Sequence, residues 1–97
     1  MKIIRKLIDR DNLESFAEKN NLVMEVHERS HIDSPTRFYA HFKNAEIKDG
    51  SMLIGAYGDG SCEALAIKDY AKRISGQWLV IDAYKPARKE IKVPILL

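Results

Sequence analysis

The sequence predicts an α+β domain: one antiparallel sheet of about five strands with two helices on one face, in the order α-β-β-β-α-β-β. Three observations carry this. Two separated stretches place apolar residues three and four positions apart, the period of a helix. Several short runs alternate apolar and polar residues, the period of a strand. The connections between them are too short for parallel crossovers, so neighbouring strands run antiparallel.

The elements follow in order. Residues 2–8 alternate weakly and suggest a short strand. Asp11 reads as a helix N-cap, with Glu14 at the capping-box position. Leu13, Phe16 and Ala17 form the buried stripe of that helix, and Asn20-Asn21 ends it. Leu22, Met24 and Val26 alternate with Val23, Glu25 and His27 in a first strand. Residues 29–36 read as a surface loop. Phe38, Ala40 and Phe42 alternate with Tyr39, His41 and Lys43 in a second. Lys48 to Ser51 reads as a turn, and residues 52–57 as a third strand. Gly58-Asp59-Gly60 reads as a sharp break, after which Ser61 caps a second helix. Ile67, Tyr70, Ala71 and Ile74 form its buried stripe, and Gly76 suits a left-handed C-terminal position. Residues 78–84 make a fourth strand and Ile91, Val93 and Ile95 a last one, which Pro94 places at an edge.

The chain has 97 residues and reads as a single domain over 1–97. With 45% apolar and 31% charged residues it has a globular balance rather than a disordered one. A net charge of +2 neither demands nor excludes an anionic partner. No apolar run approaches the roughly 20 residues that span a bilayer. Met1 to Lys6 is too interrupted by charge for a signal-peptide core. Cys62 is the one cysteine, so no internal disulfide forms. Together these predict a cytoplasmic protein with no membrane partner.

No catalytic or metal signature emerges. His27 and His31 are four apart, but in strand running into loop rather than on a helix face. Closed zinc sites need four convergent ligands, and no such pattern is present. Cys62 sits near a helix start, where a thiol pKa can fall, yet no patterned base accompanies it. Asp59, Glu63 and Asp82 each have an ordinary turn, helix-dipole or strand role. The expectation is therefore a binding protein without catalytic residues, metal or cofactor.

Two segments suit a ligand. Tyr57-Gly58-Asp59-Gly60-Ser61 offers glycines that let backbone approach closely, followed by free N–H groups at a helix start. It is neither a Walker loop nor a full dinucleotide fingerprint, and the plainer reading is a strand-to-helix turn. Tyr84 to Lys92 carries Lys85, Arg88, Lys89 and Lys92 against one acid, Glu90. Arg88 can stack on a base and fork onto a phosphate, and Lys92 can hold another. The plainer reading here is a solvated turn with lysines protecting an edge strand. Arg29 and Arg37 flank the earlier loop and can join the same surface.

Phe38 to Lys48, Ala66 to Ala71 with Ile74-Ser75-Gly76, Leu79 to Tyr84, and Arg88 to Pro94 resemble a group of small phage and prophage proteins, across most of residues 37–94. The group is identified as the first-described family of phage anti-Thoeris sponge proteins. The resemblance implies a homo-oligomer that captures a cyclic ADP-ribose-type immune signal, and in some members a cyclic oligonucleotide, without degrading it. It implies adenine sandwiched by Tyr57 and Arg88 with Lys92 on phosphate, although lysine at 92 stands where arginine would grip better. The ligand-binding set expected is Tyr57, Gly58, Gly60, Ser61, Tyr84, Arg88, Lys92 and Arg37. The alternative is a protein that binds RNA or blocks a host defence protein by direct contact. Ser61-Cys62-Glu63 at the last helix start lacks the basic residues that duplex RNA needs, so nucleic acid is the weaker partner.

The small core and the apolar end Ile91, Val93, Ile95, Leu96 and Leu97 predict at least a dimer. Light scattering at high concentration should give more than one chain's mass, and a single-chain mass would count against assembly.

Overall fold

A computed structural model describes residues 10–30 and 35–96. The order is β1 (Arg10–Asp11), α1 (Leu13–Lys19), β2 (Met24–Glu28), β3 (Phe38–Phe42), β4 (Ala45–Asp49), β5 (Met52–Ile54), β6 (Gly58–Gly60), α2 (Glu63–Ile74), β7 (Trp78–Ile81), β8 (Lys89–Lys92) and β9 (Ile95–Leu96). The class is α+β, as the sequence predicts. The expected strand over 2–8 lies outside the described residues.

Among the described residues the strands form three sheets rather than one. β2-β3-β6 and β5-β4-β7-β8 are antiparallel, and β1 pairs with β9 in parallel. The chain passes from β3 to β4 through Asn44, which is left-handed with φ 57°, a conformation asparagine tolerates well. The Asn44 carbonyl accepts the Asp82 N–H at 3.0 Å, and Asp82 is left-handed too at φ 52°. Those two residues form a corner where one sheet hands over to the other. Asp82 also ends β7 at Ile81, earlier than the alternation to Tyr84 suggests.

Four further assignments differ from the sequence reading. Lys48 and Asp49 are not turn residues but the end of β4, and the left-handed Gly50 makes the hairpin to β5. Gly58-Asp59-Gly60 is not a break but a strand paired with Phe38, Tyr39 and Ala40. The α1 cap is Asn12, whose Oδ1 accepts the Ser15 N–H at 2.7 Å, because Asp11 is taken into β1. Likewise Cys62, not Ser61, caps α2, since the chain needs both residues to turn off β6; it makes no side-chain capping bond.

The core explains α2. Ala66, Tyr70, Ala71 and Ile74 are buried on one face, with Tyr70 edge-on to Phe42 at 5.4 Å. Phe42 in turn meets Phe16 of α1 at 6.3 Å, so both helices share the cluster with Leu79, Ile81 and Val93. Burial pushes the Tyr70 hydroxyl pKa up to about 12, against a lowering from the Phe42 backbone. Gly76 is left-handed at φ 75° as expected, and its N–H reaches the Val93 carbonyl at 3.0 Å, tying the helix end to the last strands. Val93 and Leu96 are buried within the chain, Ile91 is partly buried and Ile95 is exposed, so the described part of the apolar end divides between core and surface. The expected last strand through Ile91, Val93 and Ile95 is instead two strands, β8 at the edge of its sheet and β9, with Val93 and Pro94 between them because proline cannot donate to a ladder. Among the described residues no helix is long and apolar enough to cross a membrane.

β6 can lie on α2 only because positions 58 and 60 lack side chains. A Cβ at Gly58 would stand 2.1 Å from the Tyr70 backbone nitrogen, and one at Gly60 2.4 Å from that of Ala66. Both obstacles are helix backbone, which cannot swing aside. Gly58→Ala should therefore cost about 2–3 kcal/mol or more in urea unfolding. Gly55→Ala, whose added carbon meets nothing within 4 Å, should stay within about 0.5 kcal/mol of wild type.

Candidate functional site

Strand alternation gives the three-stranded sheet two unlike faces. Ala40, Phe42, Gly58 and Gly60 turn to the core and α2. Register then aligns His27 with Tyr39, Glu25 with His41 and Tyr39 with Asp59 on the opposite face. Directly opposed residues on neighbouring strands share a face, and their side chains meet.

They meet as a stacked row. His27 lies on Tyr39 with ring centres 4.7 Å apart and planes 18° from parallel. His41 lies on His27 at 5.2 Å and 15°. Tyr57 closes the row edge-on to Tyr39 at 5.7 Å. The Arg29 guanidinium sits 4.5 Å from the centre of the Tyr39 ring and 5.7 Å from that of Tyr57. These are cation–π distances, and the planar guanidinium suits such a position better than an ammonium.

Arg29 is held in place from two sides. Its Nη1 donates to the Thr36 carbonyl and to Asp59 Oδ1, the latter at 2.9 Å. Asp59 is itself anchored to α2: its N–H donates to Asp69 Oδ2 at 2.8 Å. The same Asp69 oxygen accepts Arg73 Nε at 2.9 Å, and Arg73 comes within 4.0 Å of Asp59 Oδ2. The helix thus fixes Asp59, Asp59 fixes Arg29, and Arg29 lies on the aromatic pair.

The residues singled out from the sequence fall into two groups. Tyr57 joins the row. Gly58 and Gly60 adjoin it in the chain, but the close approach they allow is to α2. Ser61 lines a depression of about 730 Å³ beside Leu65, Lys68, Lys72 and Ile95. Arg37 does not join the row: its Nε donates to Glu28 at 2.7 Å and its guanidinium covers Phe38, a pair registered on the other face of the sheet. Tyr84, Arg88 and Lys92 belong to the β7–β8 connection and strand of the four-stranded sheet. Tyr84 is 86% exposed, the least covered large hydrophobic residue described. Lys92 Nζ donates to the Gly76 carbonyl at 2.7 Å and lies 5.7 Å from the Trp78 ring. Arg88 acts on Glu90, whose carboxyl is held below the usual range chiefly by its bond from Lys48.

Sequence reasoning passed over Tyr39, His41, His27 and Asp59 as site residues. Period two shows that Tyr39 and His41 share a face, but not that β6 pairs beside them. The two glycines around Asp59 suggest a turn, whereas it is a strand residue paired with Tyr39.

The carboxyl of Asp69 is held below the usual range chiefly by the Asp59 N–H, which outweighs desolvation, with Arg73 lowering it further. A depressed folded pKa contributes stability above the unfolded value of roughly 3.9, and that stability is lost as pH falls through the folded value. Asp69→Asn should therefore be less stable than wild type at neutral pH, with the difference narrowing as pH falls below the unfolded carboxyl value. Urea titrations across that range check it; an unchanging gap would remove the charge on Asp69 from the account.

In comparisons with family models, curated proteins and solved structures, nothing matches the chain.

Proposed function

We propose that the protein is a non-catalytic binding protein for a nucleotide-class ligand, whose base is taken by the stacked row of the three-stranded sheet. The observation that carries this reading is Arg29 over Tyr39 and Tyr57, beside stacked His27 and His41. Every base has a flat π-face, and stacking on an aromatic or guanidinium plane is worth about 1–3 kcal/mol per base. A sheet face offers such planes already ordered, so little side-chain entropy is lost on binding. Tyr57 is 46% exposed, which leaves ring surface open beside the pinned guanidinium.

Among nucleotide-class ligands, the sequence resemblance favours a cyclic ADP-ribose-type signal. In that reading the protein sequesters an immune signal in the host cytoplasm, works as a homo-oligomer, and releases its ligand unchanged. Arg88 and Lys92 are the cations the resemblance assigns to adenine and phosphate, but they stand on the other sheet.

The test is thermal denaturation with cyclic ADP-ribose isomers, cyclic oligonucleotides and duplex RNA. Ligand at 100 times Kd should add about 2.7 kcal/mol of stability. Arg29→Ala and Tyr39→Ala should each weaken binding by about 1–3 kcal/mol, and Lys48→Ala, on the other sheet, should not. Ligand released by denaturation should have its original mass. A shift with duplex RNA alone, or with none of the three, would refute this function; so would multiple turnovers to a cleaved product.

A further inference from the structure

At the Arg29 end of the row, charge among the described residues is paired. Arg29 is bonded to Asp59, and Arg73, within 4.0 Å of Asp59, is bonded to Asp69. Glu25 lies 3.7 Å from His27. Lys43 stands past His41, at the opposite end of the row from Arg29. A guanidinium already bonded to a carboxylate gains little from a phosphate, because the new contact must displace or share the old one. The acids also repel a second anion placed among them.

Resting on the proposed function, we infer that this face reads the base and not the phosphates of its ligand. It is a platform for a flat, uncharged heteroaromatic ring, and phosphate groups attached to that ring stay in solvent. Proteins that track phosphates expose unpaired lysine and arginine and lose affinity steeply as salt rises. Here the arginines serve to hold flat surfaces in place. Arg29 is the clearest case: its charge is answered by Asp59, and its plane is laid on Tyr39.

The experiment titrates adenosine, AMP and ATP by calorimetry at 50 and 300 mM salt. All three should bind within about threefold of one another, and salt should change each Kd by less than about threefold. Asp59→Asn removes the charge that answers Arg29 and should tighten ATP relative to adenosine by about two- to fivefold, the range of an exposed ion pair. Affinity that climbs tenfold or more from adenosine to ATP and falls with salt would overturn the inference, yet leave the binding function standing. If Arg88→Ala then abolished the gain, phosphate recognition would belong to the β7–β8 side. Failure of all three to bind, together with no stabilisation by any cyclic nucleotide, would overturn both.

Discussion

The contact between β6 and α2 is the constraint on which the rest of the structure depends. Gly58 and Gly60 let a strand lie against helix backbone at a distance that no side chain permits. That approach brings the β6 backbone within reach of Asp69, so that the Asp59 N–H is answered by a helix side chain. It seats Tyr70 against Phe42 and closes the core. It also decides what the far side of the sheet can present, because Asp59 lies in that short strand and Tyr57 immediately precedes it. Core packing and surface chemistry are two faces of one ladder.

The charged chain running from α2 to the aromatic row is a matter of orientation more than of stability. Its members are between a quarter and a half exposed, and ion pairs in such settings contribute at most about 1 kcal/mol each. Their effect is geometric. A free arginine samples many rotamers, whereas Arg29 has Thr36, Asp59 and Tyr39 as simultaneous partners. Placing one cation over one ring orders the neighbouring rings as well, since His27 and His41 stack in sequence from Tyr39.

Much of the architecture was legible in the residues, and its failures have physical reasons. Leu13 and Phe16, and Tyr70, Ala71 and Ile74, are buried as their spacing predicts. Strands β2, β3 and β7 lie where alternation places them, and Gly76 has the left-handed conformation expected. β6 was missed because glycine has poor strand propensity, and only a tertiary contact makes glycine necessary there. β4 was missed because Ala-Glu-Ile-Lys-Asp has one large apolar residue, and its pairing on both edges supplies what its side chains do not. The site suffered the same limit. Tyr57 was legible as an aromatic beside glycines. Which rings it would meet depends on strand register and on the corner at Asn44, and neither leaves a local signature in the sequence.

The β1–β9 ladder joins opposite ends of the chain, with Arg10 beside Ile95 and Asp11 beside Leu96. Closing so long a loop carries a large entropic cost, and two paired residues on each side return little for it. In folding, this ladder waits until α1, α2 and the antiparallel sheets have brought its halves together. In the native state it is the natural place for the first local opening, with its amides exchanging ahead of those in β3 and β7. Val93 is pinned by hydrogen bonds with Gly76 and Gln77, while among the described residues the chain beyond it is held by two ladder positions, a Ser75 contact and the burial of Leu96.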